Sequence, residues 1–258
     1  MSTFSRHFIL FKDIPLMYGR VPKVANSSIK ASLCKILKQQ PDGGLKSTAD
    51  RFWTQYTHGE TELITPRQAR KLRKSYFSFS FVRNPFDRLV AAYNNKVLEN
   101  DDVPQPMKNM GIYHGMPFSE FIKVTCKSDP SQLDNHIRPQ SDMLIVNGKL
   151  VPKFVGRMEH MDDHWRFLRR RMRLEKLPTL GGLPKKNVRR DNRNDILDSF
   201  SSQSLIDCVL ERYEEDFKRF YNKYTTDQLL KGEPLENYKP IQRGLAEARE
   251  RFHNASQV

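Results

Sequence analysis

Cysteine is scarce in this chain: Cys34, Cys126 and Cys208 are the only three in 258 residues, and they lie far apart. An odd, widely spaced set excludes a disulfide framework and reads as reduced thiols, two of them on buried helix faces. Long apolar runs are missing as well. None approaches the roughly 18 residues that span a bilayer. The opening Met1-Ser-Thr-Phe-Ser-Arg-His7 lacks the apolar core of a signal peptide. There is no internal repeat and no low-complexity tract. The spaced glycines of a Gly-x-x-x-x-Gly-Lys-Ser/Thr loop are absent, so an NTP-cleaving P-loop enzyme is not supported. Negative charge is in short supply: 30 Asp+Glu face 44 Lys+Arg, a formal net charge of +14.

What is present describes a globular protein, with 38% hydrophobic and 29% charged residues. The length suits one α/β domain, expected over residues 1–226, with a charged tail over 227–258 on the surface or fraying. The positive charge is concentrated. Residues 166–193 hold eleven Lys/Arg against Glu175 and Asp191. This is either a solvated helix and basic loop or an electropositive rim that draws in a polyanion. Nucleic acid, a nucleotide and an acidic glycan would all satisfy such a rim.

Two segments carry the chemistry. Pro15–Val21 reads as a short strand, and Ile29, Leu33, Ile36 and Leu37 recur at helix spacing after it. Between them, Lys23 and the helix-starting Ala25, Asn26, Ser27 and Ser28 occupy a strand-to-helix junction. Such a junction aims backbone N–H groups and the positive helix end at one point, which suits an anion. Downstream, Tyr76–Val82 alternates phenylalanine with serine, Arg83 closes the strand, and Asn84-Pro85 opens a helix bearing Arg88. Two such turns predict a ligand with two separated phosphate-like groups. A second strand is expected at Phe52–Thr57, and Thr65-Pro66 starts a helix to about Lys74. Residues 100–116 read as a long loop, with helices at about 117–125, 159–174 and 203–223. An extended piece is expected at Met143–Val146 and a strand near 153–157. Alternation of strands and helices in the first hundred residues predicts an α/β fold with a central parallel sheet flanked by helices. Its ligands belong beyond the carboxyl ends of the strands.

Pro22-Lys-Val-Ala-Asn-Ser-Ser-Ile-Lys30 resembles the 5′-phosphosulfate loop of sulfotransferases that use 3′-phosphoadenylyl sulfate (PAPS). Phe81-Val-Arg-Asn-Pro-Phe-Asp-Arg-Leu-Val-Ala-Ala-Tyr93 resembles their 3′-phosphate motif. The likeness is to carbohydrate sulfotransferases of the HNK-1 and chondroitin/dermatan type and their bacterial relatives. It continues in Asn135-His-Ile-Arg-Pro-Gln140, Phe154-Val-Gly-Arg-Met-Glu-His160, Leu183-Pro-Lys-Lys-Asn187 and Tyr213-Glu-Glu-Asp-Phe217. The resemblance implies a P-loop-like sulfotransferase fold, PAPS as donor, no metal, and a hydroxyl of a carbohydrate or glycan as acceptor. Lys23, Ala25, Asn26, Ser27 and Ser28 would hold the 5′-phosphosulfate and Arg83 the 3′-phosphate. Ala91 stands where the family usually places a serine, removing a donor worth about 1–2 kcal/mol. Either Arg83 suffices, or Arg88 or the basic loop with Lys185, Lys186, Arg189 and Arg190 is expected to compensate. Golgi relatives carry a membrane anchor and disulfides. Neither is seen here, which sets the expectation of a cytoplasmic enzyme.

Sulfuryl transfer to a hydroxyl gains from a base. His58, expected at a strand end beside the two anion turns, ranks slightly ahead of His136; Asp134 and Glu159 stand behind them. His160 and His164 lack an apparent third ligand for zinc. Two other readings stay open at this point. A nucleic-acid-binding protein predicts salt-steep binding to RNA or DNA, although the aromatics follow core spacing rather than interleaving with basic residues. A nucleotide kinase-like enzyme predicts magnesium-dependent ATP turnover, without a clear strand-end carboxylate for the metal.

Overall fold

The computed structural model describes residues 6–39, 41, 45–184, 193–233 and 238–244. The chain starts with strands β1 (Phe8–Phe11) and β2 (Leu16–Gly19), then helices α1 (Asn26–Cys34) and α2 (Phe52–Gln55). Strand β3 (Thr61–Ile64), helix α3 (Pro66–Leu72), strand β4 (Phe77–Val82) and helix α4 (Pro85–Tyr93) follow, and α4 runs into a π-helical turn, Asn94–Leu98. Next come α5 (Gln105–Asn109), α6 (Phe118–Lys127), α7 (Gln140–Leu144) and a small hairpin of β5 (Ile145–Val146) and β6 (Lys149–Leu150). Strand β7 (Phe154–Arg157) leads through a 3-10 turn into α8 (Met161–Leu174). The described remainder is α9 (Arg193–Ser199), α10 (Gln203–Arg212), α11 (Glu214–Phe220), α12 (Thr226–Lys231) and β8 (Ile241–Gln242).

The main sheet has the order β3-β1-β2-β4-β7-β8. Its centre, β2-β4-β7, is parallel, as the alternation of elements predicts. Antiparallel pairs flank that centre: β1 with β2 and β3 on one side, β8 with β7 on the other. Strand β4 shows why the centre packs so closely. Phe77, Phe79 and Phe81 bury one face, while Ser78 and Ser80 are buried on the other. The Ser80 hydroxyl donates to the Gly19 carbonyl at 2.7 Å. Opposite Phe81 the neighbouring strand carries Gly156, where a Cβ would lie 2.3 Å from the Phe81 ring, so only glycine fits.

Four expectations change. Phe52–Thr57 is not a strand: its first four residues form the one-turn helix α2, with Phe52 and Trp53 buried, and the neighbouring strand is β3. The loop over 100–116 contains α5, and Met107 and Met116 are buried in the core. The helix expected over 203–223 breaks at Tyr213 into α10 and α11. Of the tail expected over 227–258, the described residues 227–233 and 238–244 are part of the body: Thr225 caps α12 through a capping box, Leu229 is buried, and β8 extends the sheet. Among the described residues no helix is long and apolar enough to cross a membrane.

Candidate active site

Strands β2 and β4 run side by side in parallel, with Gly19 opposite Ser80. Both therefore deliver their following turns to the same carboxyl edge of the sheet. Lys23 lies in the turn after β2 and Arg83 in the turn after β4, as expected from the sequence. In the first turn Lys23 and Ala25 adopt left-handed backbone, with φ of 67° and 58°. For residues with a Cβ that conformation costs about 1–2 kcal/mol each. It turns successive N–H groups towards one side, as anion-binding nests do. Helix α1 then starts at Ala25, whose methyl group cannot cap it, and its first turn holds no acidic residue. An intact positive helix end thus meets the turn. The fully buried Tyr18 donates its hydroxyl to Asn26 Oδ1 at 3.1 Å, fixing the orientation of that amide. Ser28 is buried, and Asn26 and Ser27 are half-buried. The Lys23 ammonium donates to Asn95 Oδ1 on the π-helical turn.

The second turn is held by side chains from distant segments. Gln140 grips Arg83 on both backbone groups: Arg83 N donates to its Oε1 at 2.9 Å, and its Nε2 donates to Arg83 O at 2.8 Å. Asn84 caps α4 by accepting from Phe86 N at 3.1 Å, and its own N–H donates to Glu159 Oε1 at 2.6 Å. Burial pushes the Glu159 carboxyl up, while the Asn84 N–H bond partly opposes that. Gln140 is itself anchored, since Gln140 N and Ser141 N donate to buried Asp216 at 2.9 and 2.6 Å.

Arg88, expected to assist at the 3′-phosphate turn, is turned inward instead. It is fully buried, and its Nε, Nη1 and Nη2 donate to the carbonyls of Pro22, Arg138 and Asn135 at 3.1, 2.8 and 3.0 Å. With those donors engaged it positions two loops. Half-buried Ala91 adds no donor. The basic loop with Lys185, Lys186, Arg189 and Arg190, the other expected source of a replacement donor, lies outside the described residues.

The two histidines separate clearly. His58 is exposed with φ 49° in the turn before β3. Thr61 pairs with Phe11, the last residue of antiparallel β1, so His58 sits at the sheet end opposite both anion turns. The strand that was to bring it to the site does not form. His136, by contrast, lies close enough to Lys23 and Lys96 for their charges to act on it. Its Nδ1 is 2.7 Å from Asp134 Oδ1, and the same oxygen accepts from His136 N at 2.8 Å. An ionised carboxylate only accepts, so Nδ1 carries the proton and Nε2 keeps its lone pair. Burial pushes the imidazole below its ordinary value; Asp134 pulls the other way, and Lys96 and Lys23 add to the lowering. Burial also acts to raise Asp134, but its bonds and charge interaction with His136 outweigh that and hold it low.

Several contributors escaped sequence reasoning. Asp134 was only an outsider for the base, although Asp-x-His is a local signal for a side chain bonding the backbone two residues on. Gln140 and Asp216 lie in motifs of the family resemblance but act, like Asn95, across more than fifty residues, so their roles are not local signals. His160 and His164 serve structure: His160 Nε2 meets Tyr224 Oη at 2.8 Å, and His164 Nδ1 accepts from Arg157 N at 2.8 Å.

The residues present fit a ligand with two separated anionic groups: an uncapped helix start with a lysine at one turn, and an arginine at the next. Comparison with known proteins gives the family. A sulfotransferase family model matches residues 6–222. Carbohydrate sulfotransferase 14 of Danio rerio is 24% identical over 252 residues, 92% of this chain and 64% of the relative. The human protein of that name is 28% identical over 151 residues, covering 53% of this chain and 39% of its own. Carbohydrate sulfotransferase 10 of Xenopus laevis is 23% identical over 242 residues, 82% of this chain and 66% of its own. The chain thus spans about two thirds or less of the length of these relatives. No solved structure matches it. With the family match running from β1 through α11, across both anion turns, this chain belongs to the sulfotransferase family.

Proposed function

We propose that this protein transfers a sulfuryl group from PAPS to a hydroxyl of a carbohydrate or glycan. The observation that carries the reading is the pair of turns at one carboxyl edge, Lys23 after β2 and Arg83 after β4, with His136 beside the first. Family membership and the carbohydrate sulfotransferases among its relatives support the same class.

Bound PAPS supplies an activated sulfuryl group carried on the 5′-phosphate. The chain's own residues do the rest. Backbone N–H groups at the start of α1, with Ser27, Ser28 and Asn26, hold the 5′ end, and Arg83 holds the 3′-phosphate. The Lys23 ammonium places positive charge where the leaving phosphate becomes more negative, a preorganised electrostatic contribution. His136 Nε2 accepts the proton of the acceptor hydroxyl, and Asp134 stabilises the imidazolium that results. No metal takes part in this scheme.

Calorimetry at low salt with adenosine 3′,5′-bisphosphate tests donor binding. Radiolabelled PAPS with a panel of glycans tests transfer. Expected are saturable heat, strongly reduced in Lys23→Ala and Arg83→Ala, and label appearing in a glycan. Absence of heat from the folded wild-type chain would end the proposal.

A further inference from the structure

Helices α6 and α10 pack together, and a cavity of about 790 Å³ lies along their junction, lined by none of the candidate site residues. Cys126, in the last turn of α6, and Cys208, in α10, both line it and are half-buried. Cys208 lies near enough to Cys126 to act on its thiol. A disulfide requires Cα atoms within about 7 Å, so its formation here would report how closely these two helix turns approach. The backbone between them is well held. Arg212, one turn after Cys208, donates to the Cys126 carbonyl through Nε at 3.0 Å and to the Ser128 carbonyl at 2.6 Å. The third cysteine, Cys34, sits in α1, at the last residue of that helix.

We propose that Cys126 and Cys208 form a redox-modifiable dithiol, which a low-molecular-weight disulfide such as glutathione disulfide converts to an intramolecular disulfide. The groove offers Lys123, Lys127 and Arg212 to the carboxylates of such an oxidant. In the first exchange one protein thiolate attacks glutathione disulfide, forming a mixed disulfide and releasing one glutathione thiolate. In the second, the other protein thiolate attacks the protein sulfur of that mixed disulfide and releases the second glutathione. Two cysteine thiols are oxidised, one glutathione disulfide is reduced to two thiols, and the two protein protons end on glutathione. Burial, and then the adjacent Cys208, push the Cys126 thiol well up, so its closure is slow at neutral pH and speeds up as pH rises.

The crosslink would close the eighty-odd residues between the two positions. It would fasten α6 to the segment leading into Tyr213, whose hydroxyl donates to the Ile137 carbonyl, and into Asp216. The His136 loop therefore rests on the fastened face, while no thiol enters the site.

The test uses the full reduced chain, incubated with glutathione disulfide, alkylated and mapped by mass spectrometry. Free thiols should fall from three to one, leaving Cys34, with a peptide crosslinked between Cys126 and Cys208. The thermal midpoint should rise by roughly 5–15 °C and return on reduction. Cys34→Ser should form the same crosslink, whereas Cys126→Ser and Cys208→Ser should stop at a glutathione adduct on the remaining partner. Three free thiols after oxidation, a lasting adduct on both Cys126 and Cys208 of the wild-type chain, or a crosslink to Cys34 or between chains would overturn the proposal. The wild-type map needs no variant, so misfolding of a serine substitution cannot obscure it.

Discussion

The two strand-to-helix turns look alike in sequence and differ in construction. The Lys23 turn is left open: a methyl group stands at the helix start, two residues hold left-handed backbone, and no acid lies in the first turn. The Arg83 turn is closed. Gln140 takes both Arg83 backbone groups, Asn84 caps Phe86, Glu159 takes Asn84 N–H, and Pro85 has no N–H to offer. An open turn meets a ligand with its backbone, whereas a closed turn can present only a side chain. The first is therefore suited to an end of the donor where charge changes during reaction, the second to an end that is merely held.

Substitutions can break or sharpen that contrast. The largest effect is expected for Lys23→Ala, which should lower turnover by about 10²–10³-fold while leaving the far-ultraviolet circular dichroism spectrum unchanged. Arg88→Met removes three donations that tie the open turn to the 135–138 loop, and urea denaturation should show a loss of about 3 kcal/mol. Arg83→Ala should weaken adenosine 3′,5′-bisphosphate binding roughly 10–100-fold by calorimetry, with a smaller effect on turnover at saturation. Equal turnover losses in the lysine and arginine variants would dissolve the distinction between the turns.

The pH profile comes next in size. His136 is held below its ordinary value, so the base form persists to mildly acidic pH and turnover should fall only as pH drops through that lowered value. Asp134→Asn removes a group that raises the imidazole, so this acid limb should move to still lower pH. Turnover on the plateau should drop roughly 10-fold as the ring loses its orientation. An acid limb that stays in place would take His136 out of the reaction. The smallest effect belongs to Ala25→Gly, which relieves left-handed strain and should raise stability by about 0.5–1 kcal/mol. The equivalent test has no counterpart in the closed turn, where Asn84 has negative φ.

Much of the parallel centre was legible because its signals are local. The alternating Phe/Ser of β4, Asn84-Pro85 at the start of α4 and Thr65-Pro66 at the start of α3 each specify an element within a few residues. The antiparallel edges were not. Phe52-Trp53-Thr54-Gln55 is aromatic enough for a strand, and periodicity over four residues cannot separate a buried strand from one helical turn. The misplacement of His58 follows directly from that ambiguity. Arg88 was misassigned for a different reason: an arginine one turn into a helix after an anion motif reads as a ligand until the carbonyls of Pro22, Asn135 and Arg138 are brought to it by the fold. His136 is legible as a candidate, but its bond to Asp134 is not, since a side chain two residues away has many alternative partners in a loop.

Arg88 also fixes a dimension. One planar group spans from the carbonyl preceding Lys23 to the carbonyls on either side of His136 and Ile137. The gap between ammonium and imidazole is thus gauged by a rigid fork rather than by the wandering of two separate loops. When one loop shifts, the other is carried along. Changes at the outer rim then leave the spacing of these two groups undisturbed.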